Sequence, residues 1–122
     1  MPNGEKEQLG SVKIDDEVIG TIAAIAAKGI PGVYKIATSF VGGIALFFRK
    51  IPDAGVKVSV KEDGVRLNLG IIIEYGINIP ELTWKVQKAI KEEVEKATGF
   101  KVSQVNIVVE GIHHPDFVKG SL

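Results

Sequence analysis

The chain has 122 residues, 45% of them hydrophobic and 25% charged, with fifteen Lys and Arg balancing fifteen Asp and Glu. That length suits one domain with a single core, and the charge balance leaves no overall field to draw in nucleic acid or an anionic membrane. The absence of cysteine excludes disulfides, thiolate metal sites and cysteine nucleophiles.

The opening M-P-N-G-E-K-E-Q is polar and has no apolar signal core, so the expectation is a cytoplasmic protein not exported by a signal peptide. No stretch reaches the roughly 18 apolar residues of a spanning helix, and no transmembrane segment is expected. Residues 1–8 read as a flexible lead-in, and Leu9 to Ile14 as a short edge strand. From Asp15 the spacing turns helical and predicts a first helix over 16–28, capped by Asp15 or Asp16 and ended at Lys28-Gly29. Its apolar stripe is read as Val18, Ile19, Ile22, Ile25 and Ala26. The opposite side, Gly20, Thr21, Ala24 and Ala27, is small rather than charged, so another backbone can approach there.

Pro31-Gly32 marks a turn, and Val33 to Ala37 a short extended piece. Between Thr38 and Ala54 lies F-V-G-G-I-A-L-F-F-R-K-I-P, too short to span a bilayer. Phe40, Phe47 and Phe48 there are read either as a loop folded over the core or as an exposed patch for a partner or membrane surface.

The strongest local signal is V-K-V-S-V-K-E-D-G-V-R-L-N-L-G-I-I-I-E-Y-G, Val56 to Gly76: two alternating strands around Asp63-Gly64. A type I′ turn on that pair sets Glu62 opposite Val65, Val60 opposite Leu67, Val58 opposite Leu69 and Val56 opposite Ile71. One face is then wholly apolar, and the other carries Lys57, Ser59, Lys61, Arg66 and Asn68. Asn78-Ile79-Pro80-Glu81 is a helix start, and a second helix is expected over 79–98. Its buried stripe is read as Leu82, Val86, Ala89, Ile90 and Ala97, with Gly99 as a left-handed stop. A further alternating strand covers 102–110, and residues 113–122 read as a C-terminal tail, leaving 9–112 as a single domain. These elements predict an α+β fold: a small mixed or antiparallel sheet, built from the hairpin 56–75 and strand 102–110, with two helices on one face.

Trp84 falls nearly opposite the buried stripe of the second helix, among Lys88, Lys91 and Glu95, as an exposed anchor of the kind enriched at interfaces. Lys57, Lys61 and Arg66 form a small basic strip on the polar sheet face, and a nucleic-acid-binding domain using that strip is the alternative reading. No aromatic sits among these charges to stack bases. Gly29-Ile30-Pro31-Gly32 resembles a KH-type G-x-x-G loop only superficially, since proline occupies its interior. His113, His114 and Asp116 are the one cluster with metal-ligand residue types. Neighbouring histidines diverge, and no further ligand lies at a motif spacing, so neither metal nor cofactor is expected. There is no G-x-S-x-G, Walker loop, H-E-x-x-H or G-x-G-x-x-G, so neither an enzyme nor a small-molecule substrate is expected.

The ordered series G-S-V-K-I-D-D-E-V-I-G-T-I-A-A-I-A-A, G-I-P-G-V-Y, G-V-K-V-S-V, G-V-R-L-N-L-G-I-I-I-E-Y-G, V-Q-K-A-I-K and V-S-Q-V-N-I-V-V-E-G-I resembles the bacterial alkaline shock protein family, the envelope stress response proteins. The resemblance covers about Gly10 to Ile112 and departs from the family between Thr38 and Pro52. It implies a non-enzymatic protein that self-associates as a homo-oligomer. Such a protein can be held at the cytoplasmic face of the membrane by a separate anchor protein, and the family supplies no catalytic residues to carry over.

Overall fold

Strand β3 (Gly64–Glu74) is the centre of the sheet, because every other strand among the described residues pairs with it. The computed structural model describes residues 9–37 and 56–115. These hold helix α1 (Asp16–Lys28), strands β1 (Val33–Ala37), β2 (Val56–Lys61) and β3, helix α2 (Ile79–Thr98) and strand β4 (Val102–His113). β2 pairs antiparallel with the first half of β3, Val56 facing Leu69 and Lys61 facing Gly64. β1 pairs antiparallel with the second half, Ile36 facing Ile71 and Ala37 facing Gly70. β4 runs parallel to β3 along the opposite edge, from Val65↔Val102 to Glu74↔His113, so the sheet is mixed. A parallel neighbour needs a crossover, and α2 supplies it.

Both helices pack on one face. α1 lies over β1 and β2, and α2 lies over β4 and against α1. Between them and the sheet, Ile19, Leu67, Ile71, Ile73, Val86, Ile90 and Val94 are fully buried, and no buried polar or charged residue occurs among the described residues. The expected α+β, two-layer architecture is thus observed.

Five local expectations are corrected. Leu9 to Ile14 makes no strand: Gly10 takes φ +108, which breaks an extended run, and Leu9 and Val12 stand in solvent. The hairpin is paired two residues away from the expected register, with Val60 facing Val65 and Val58 facing Leu67. Glu62 and Asp63 form the turn with negative φ, and the positive φ, +132, falls on Gly64 inside β3. A shift of two leaves every side chain on its expected face, because the side-chain period is two.

α1 is rotated relative to its expected stripe. Ile19, Gly20, Ala23 and Ala27 are buried, while Val18 and Ile25 point outward. The small residues let the α1 backbone close on the sheet and α2, and that leaves the bulky residues without room inside. In α2 the buried row is Leu82, Val86, Ile90 and Val94 at steps of four, so Val94 replaces Ala97, which is exposed. The α2 caps are as expected: the Glu81 N–H donates to Asn78 Oδ1 at 2.9 Å, and Gly99 has φ +79. β4 continues to His113, so that residue belongs to the sheet rather than to a tail. The lead-in 1–8, Phe40, Phe47, Phe48 and Asp116 lie outside the described residues.

Candidate functional site

Between Glu17 and Lys28, α1 carries no charge: V-I-G-T-I-A-A-I-A-A. A surface helix normally sets charges opposite its buried side, whereas α1 turns Val18 and Ile25, the latter 67% exposed, to solvent. Ile22, Ile25, Ala26 and Gly29 of this helical side meet Ala89, Glu93 and Ala97 of α2 around a mostly apolar groove of about 490 Å³. The small residues of α2 that were expected inside therefore floor a groove on the outer surface instead.

On the other flank of α2 lies a second cleft, of about 360 Å³, lined by Trp84, Gln87, Lys88 and Lys91 and by residues 102–105 of β4. Trp84 is 58% exposed, as its position opposite the buried row requires, and the Lys88 ammonium sits 5.2 Å from its ring centroid. Three α2 side chains close the near end of the β4 edge. Glu95 accepts the Val102 N–H at 2.9 Å, Lys91 donates to the Val102 carbonyl at 3.0 Å, and Gln87 donates to the Val105 carbonyl at 2.9 Å.

Lys91 also pairs with Glu95 at 2.8 Å. That ammonium, and next the Val102 N–H, hold the Glu95 carboxyl below its ordinary value of 4.5. A depressed folded value stabilises the fold fully above the unfolded value and loses that stabilisation as pH falls through the folded one. Comparing urea unfolding of the native chain with Glu95→Gln is therefore expected to show a stability gap at about pH 7 that is smaller at about pH 3. A gap of equal size at both pH values would rule the capping role out.

The basic strip is less open than its sequence reads. Arg66 faces Ser59, and its guanidinium is tied to Asp63 at 3.0 Å, which holds the Asp63 carboxyl below its usual range. Lys61 faces Gly64 and Lys57 faces Asn68, so the cations do not oppose one another across the strands. Asn106 donates to Asn68 Oδ1 at 3.0 Å on the same face.

The histidines are part of the fold. The His113 ring stacks on Tyr34 at 3.9 Å with planes 5° apart, and its Nδ1 lies 3.0 Å from Glu74 Oε1. His114 meets Tyr75 edge-on at 4.6 Å. Sequence reasoning missed both contacts, since they join residues of three different strands and the turn after β3. Among the described residues no three His, Cys, Asp or Glu side chains gather to hold a metal ion, and no helix is long and apolar enough to cross a membrane.

The fold is shared with solved structures of the MamM CTD: one superposes with a TM-score of 0.50 over 80% of this chain and 99% of that one, at 10% identity. In sequence, the chain is 33% identical over 109 residues to the uncharacterized protein YqhY of Bacillus subtilis, covering 88% of this chain and 81% of that protein. It is 31% identical to the uncharacterized protein Spy1535 of Streptococcus pyogenes, over 87% of this chain and 81% of that one. A stress response regulator gls24 homolog of Streptococcus pyogenes is 28% identical over 84% of this chain, which spans 59% of that protein's length. Residues 4–114 match the alkaline shock protein 23 family, described as having a cell envelope-related function. The ordered strand and helix segments that resemble the alkaline shock proteins thus lie within one matched span, and the chain belongs to that family.

Proposed function

We propose that the protein is a non-catalytic scaffold of the envelope or alkaline stress response. In this reading it works in the cytoplasm, self-associates through its helical side, and is held at the membrane face by a separate anchor protein. The observation that carries the reading is the uncharged outer side of α1. An apolar helix side with Ile25 and Val18 in water, beside an apolar groove, costs free energy until another surface covers it. Trp84 lies on the opposite flank of α2, still within the helical layer, with Lys88 against its ring, and is the second expected contact. Phe40, Phe47 and Phe48 are proposed as further contacts on sequence grounds alone. The envelope-related family and the stress response name of one relative support the cellular role.

The test is the solution mass over a concentration series, by light scattering after size exclusion. The native chain is expected to exceed its monomer mass of 13.1 kDa, and Ile25→Glu and Trp84→Lys to lower the mass reached at each concentration. Equal masses for all three chains would sink self-association through the helical side and move the search to an anchor protein alone.

A further inference from the structure

Among the described residues, β4 has a strand partner on one edge only. On its other edge, Gln87, Lys91 and Glu95 take up main-chain groups of Val102 and Val105, and no α2 side chain bonds to this edge beyond Val105. The register shift after Val102 explains how Val102 and Val105 both face outward despite their odd spacing. From Val105 to Val109 the strand alternates regularly, a second register shift falling only at Glu110, so the N–H and C=O groups of Ile107 and Val109 face the same open edge.

Nothing in the side chains discourages pairing there. Ser103 to Val109, S-Q-V-N-I-V-V, contains no charge, proline or glycine, whereas exposed edges are usually blunted by such residues. Val108 is apolar and 58% exposed on the sheet face away from the helices.

We propose that the open half of β4 is a pairing edge for a second copy of this chain, the two β4 strands running antiparallel about a twofold axis at Val108. Main-chain donors and acceptors in an extended row are matched only by another extended row, which commits the occupant to a strand. The twofold arrangement makes this edge its own complement: Ile107 of each copy meets Val109 of the other, and the pair exchanges both hydrogen bonds. The two Val108 side chains then cover each other on the outer face. The sheet becomes continuous across the pair, and the Trp84 flank of each α2 turns toward the second helix layer. This contact is separate from the α1–α2 groove and does not rest on it.

The experiment is carried out in an Ile25→Glu background, so that the α1–α2 groove does not contribute, and reads two quantities: solution mass and amide exchange at Ile107 and Val109. The expected result is a dimer of about 26 kDa, twice the monomer mass, with both amides protected. Val108→Lys places like charges directly opposite one another, and Val109→Pro removes an edge donor at a site where a lone monomer tolerates proline. Both are expected to give the monomer mass, with exchange at Ile107 about tenfold faster or more. Mixing Val108→Lys with Val108→Glu is expected to restore the dimer. If Val109→Pro loses its circular dichroism signature, Val108→Lys alone carries the comparison, because that side chain is exposed. A monomer with fast-exchanging edge amides overturns the proposal, even where Ile25→Glu has already shown that the helical side associates. So does a dimer that survives Val108→Lys, and so does a monomer with protected edge amides, which would mean that the chain covers its own edge.

Discussion

Ile71→Ala is expected to lower the unfolding free energy by about 3–4 kcal/mol, the upper part of the range for deleting three buried carbons from a core that cannot collapse around the gap. Ile71 is fully buried at the crossing of three strands, paired with Ile36 of β1 on one side and Val109 of β4 on the other. A cavity there is walled by main chain on both edges and by the helices above, so no single element can move to fill it. Ile71→Val is expected to cost only about 1 kcal/mol. Urea unfolding of the three chains, with the slope of the transition held constant, makes the measurement. A loss below about 1 kcal/mol for the alanine variant would mean that the sheet centre is far more pliable than its pairing implies.

Gly64→Ala is expected to cost about 2–3 kcal/mol, and Gly70→Ala distinctly less, although both replacements meet a neighbour. At Gly64 the added carbon would lie 2.6 Å from the Lys101 carbonyl oxygen, and φ is +132. That same carbonyl accepts the Val65 N–H at 2.7 Å, so it cannot retreat without breaking the start of the β3–β4 pairing. At Gly70 the added carbon meets the end of the Glu110 side chain, which can swing, and the backbone has no positive φ. Thermal unfolding of both variants reads the contrast. The reverse order would show that the hairpin can slide to the register in which Asp63-Gly64 forms the turn.

What the sequence disclosed, and what it hid, follows from the range of the interactions involved. The limits of both helices and the faces of the hairpin were legible because they depend on neighbours within four residues: Asn78 capping Glu81, Gly99 in the left-handed region, valines alternating with lysines. The hairpin register was not, because it is decided by Lys101, far along the chain, which needs a residue without a β-carbon beside it. The α1 rotation was misread for a similar reason. Apolar bulk marks the inner side only where there is room for it, and the closeness of α1 to α2 and the sheet favours alanine and glycine inside. Trp84 was placed correctly as outward because its position opposite Leu82, Val86 and Ile90 is a matter of helix period alone. Its setting beside an unfinished strand edge was beyond reach, since alternation in 102–110 shows that a strand exists and not which neighbours it keeps. The Tyr34–His113 stack likewise needed the strand order before it was visible.

One feature of the sheet bears on how much the chain can vary. β1 and β2 follow each other along the same edge of β3, Ala37 facing Gly70 and Val56 facing Leu69, so the two ends of the segment 38–55 arrive at adjoining rungs of one ladder. The fold places almost no demand on the length of whatever joins them. The cost of closing a loop grows only with the logarithm of its length, so strand ends this close would accept a join of a few residues, or one twice the present length, at a difference of about 1 kcal/mol. The junction is therefore a natural port in the architecture, a place where an engineer can graft a whole insert while the sheet and helices stay as they are.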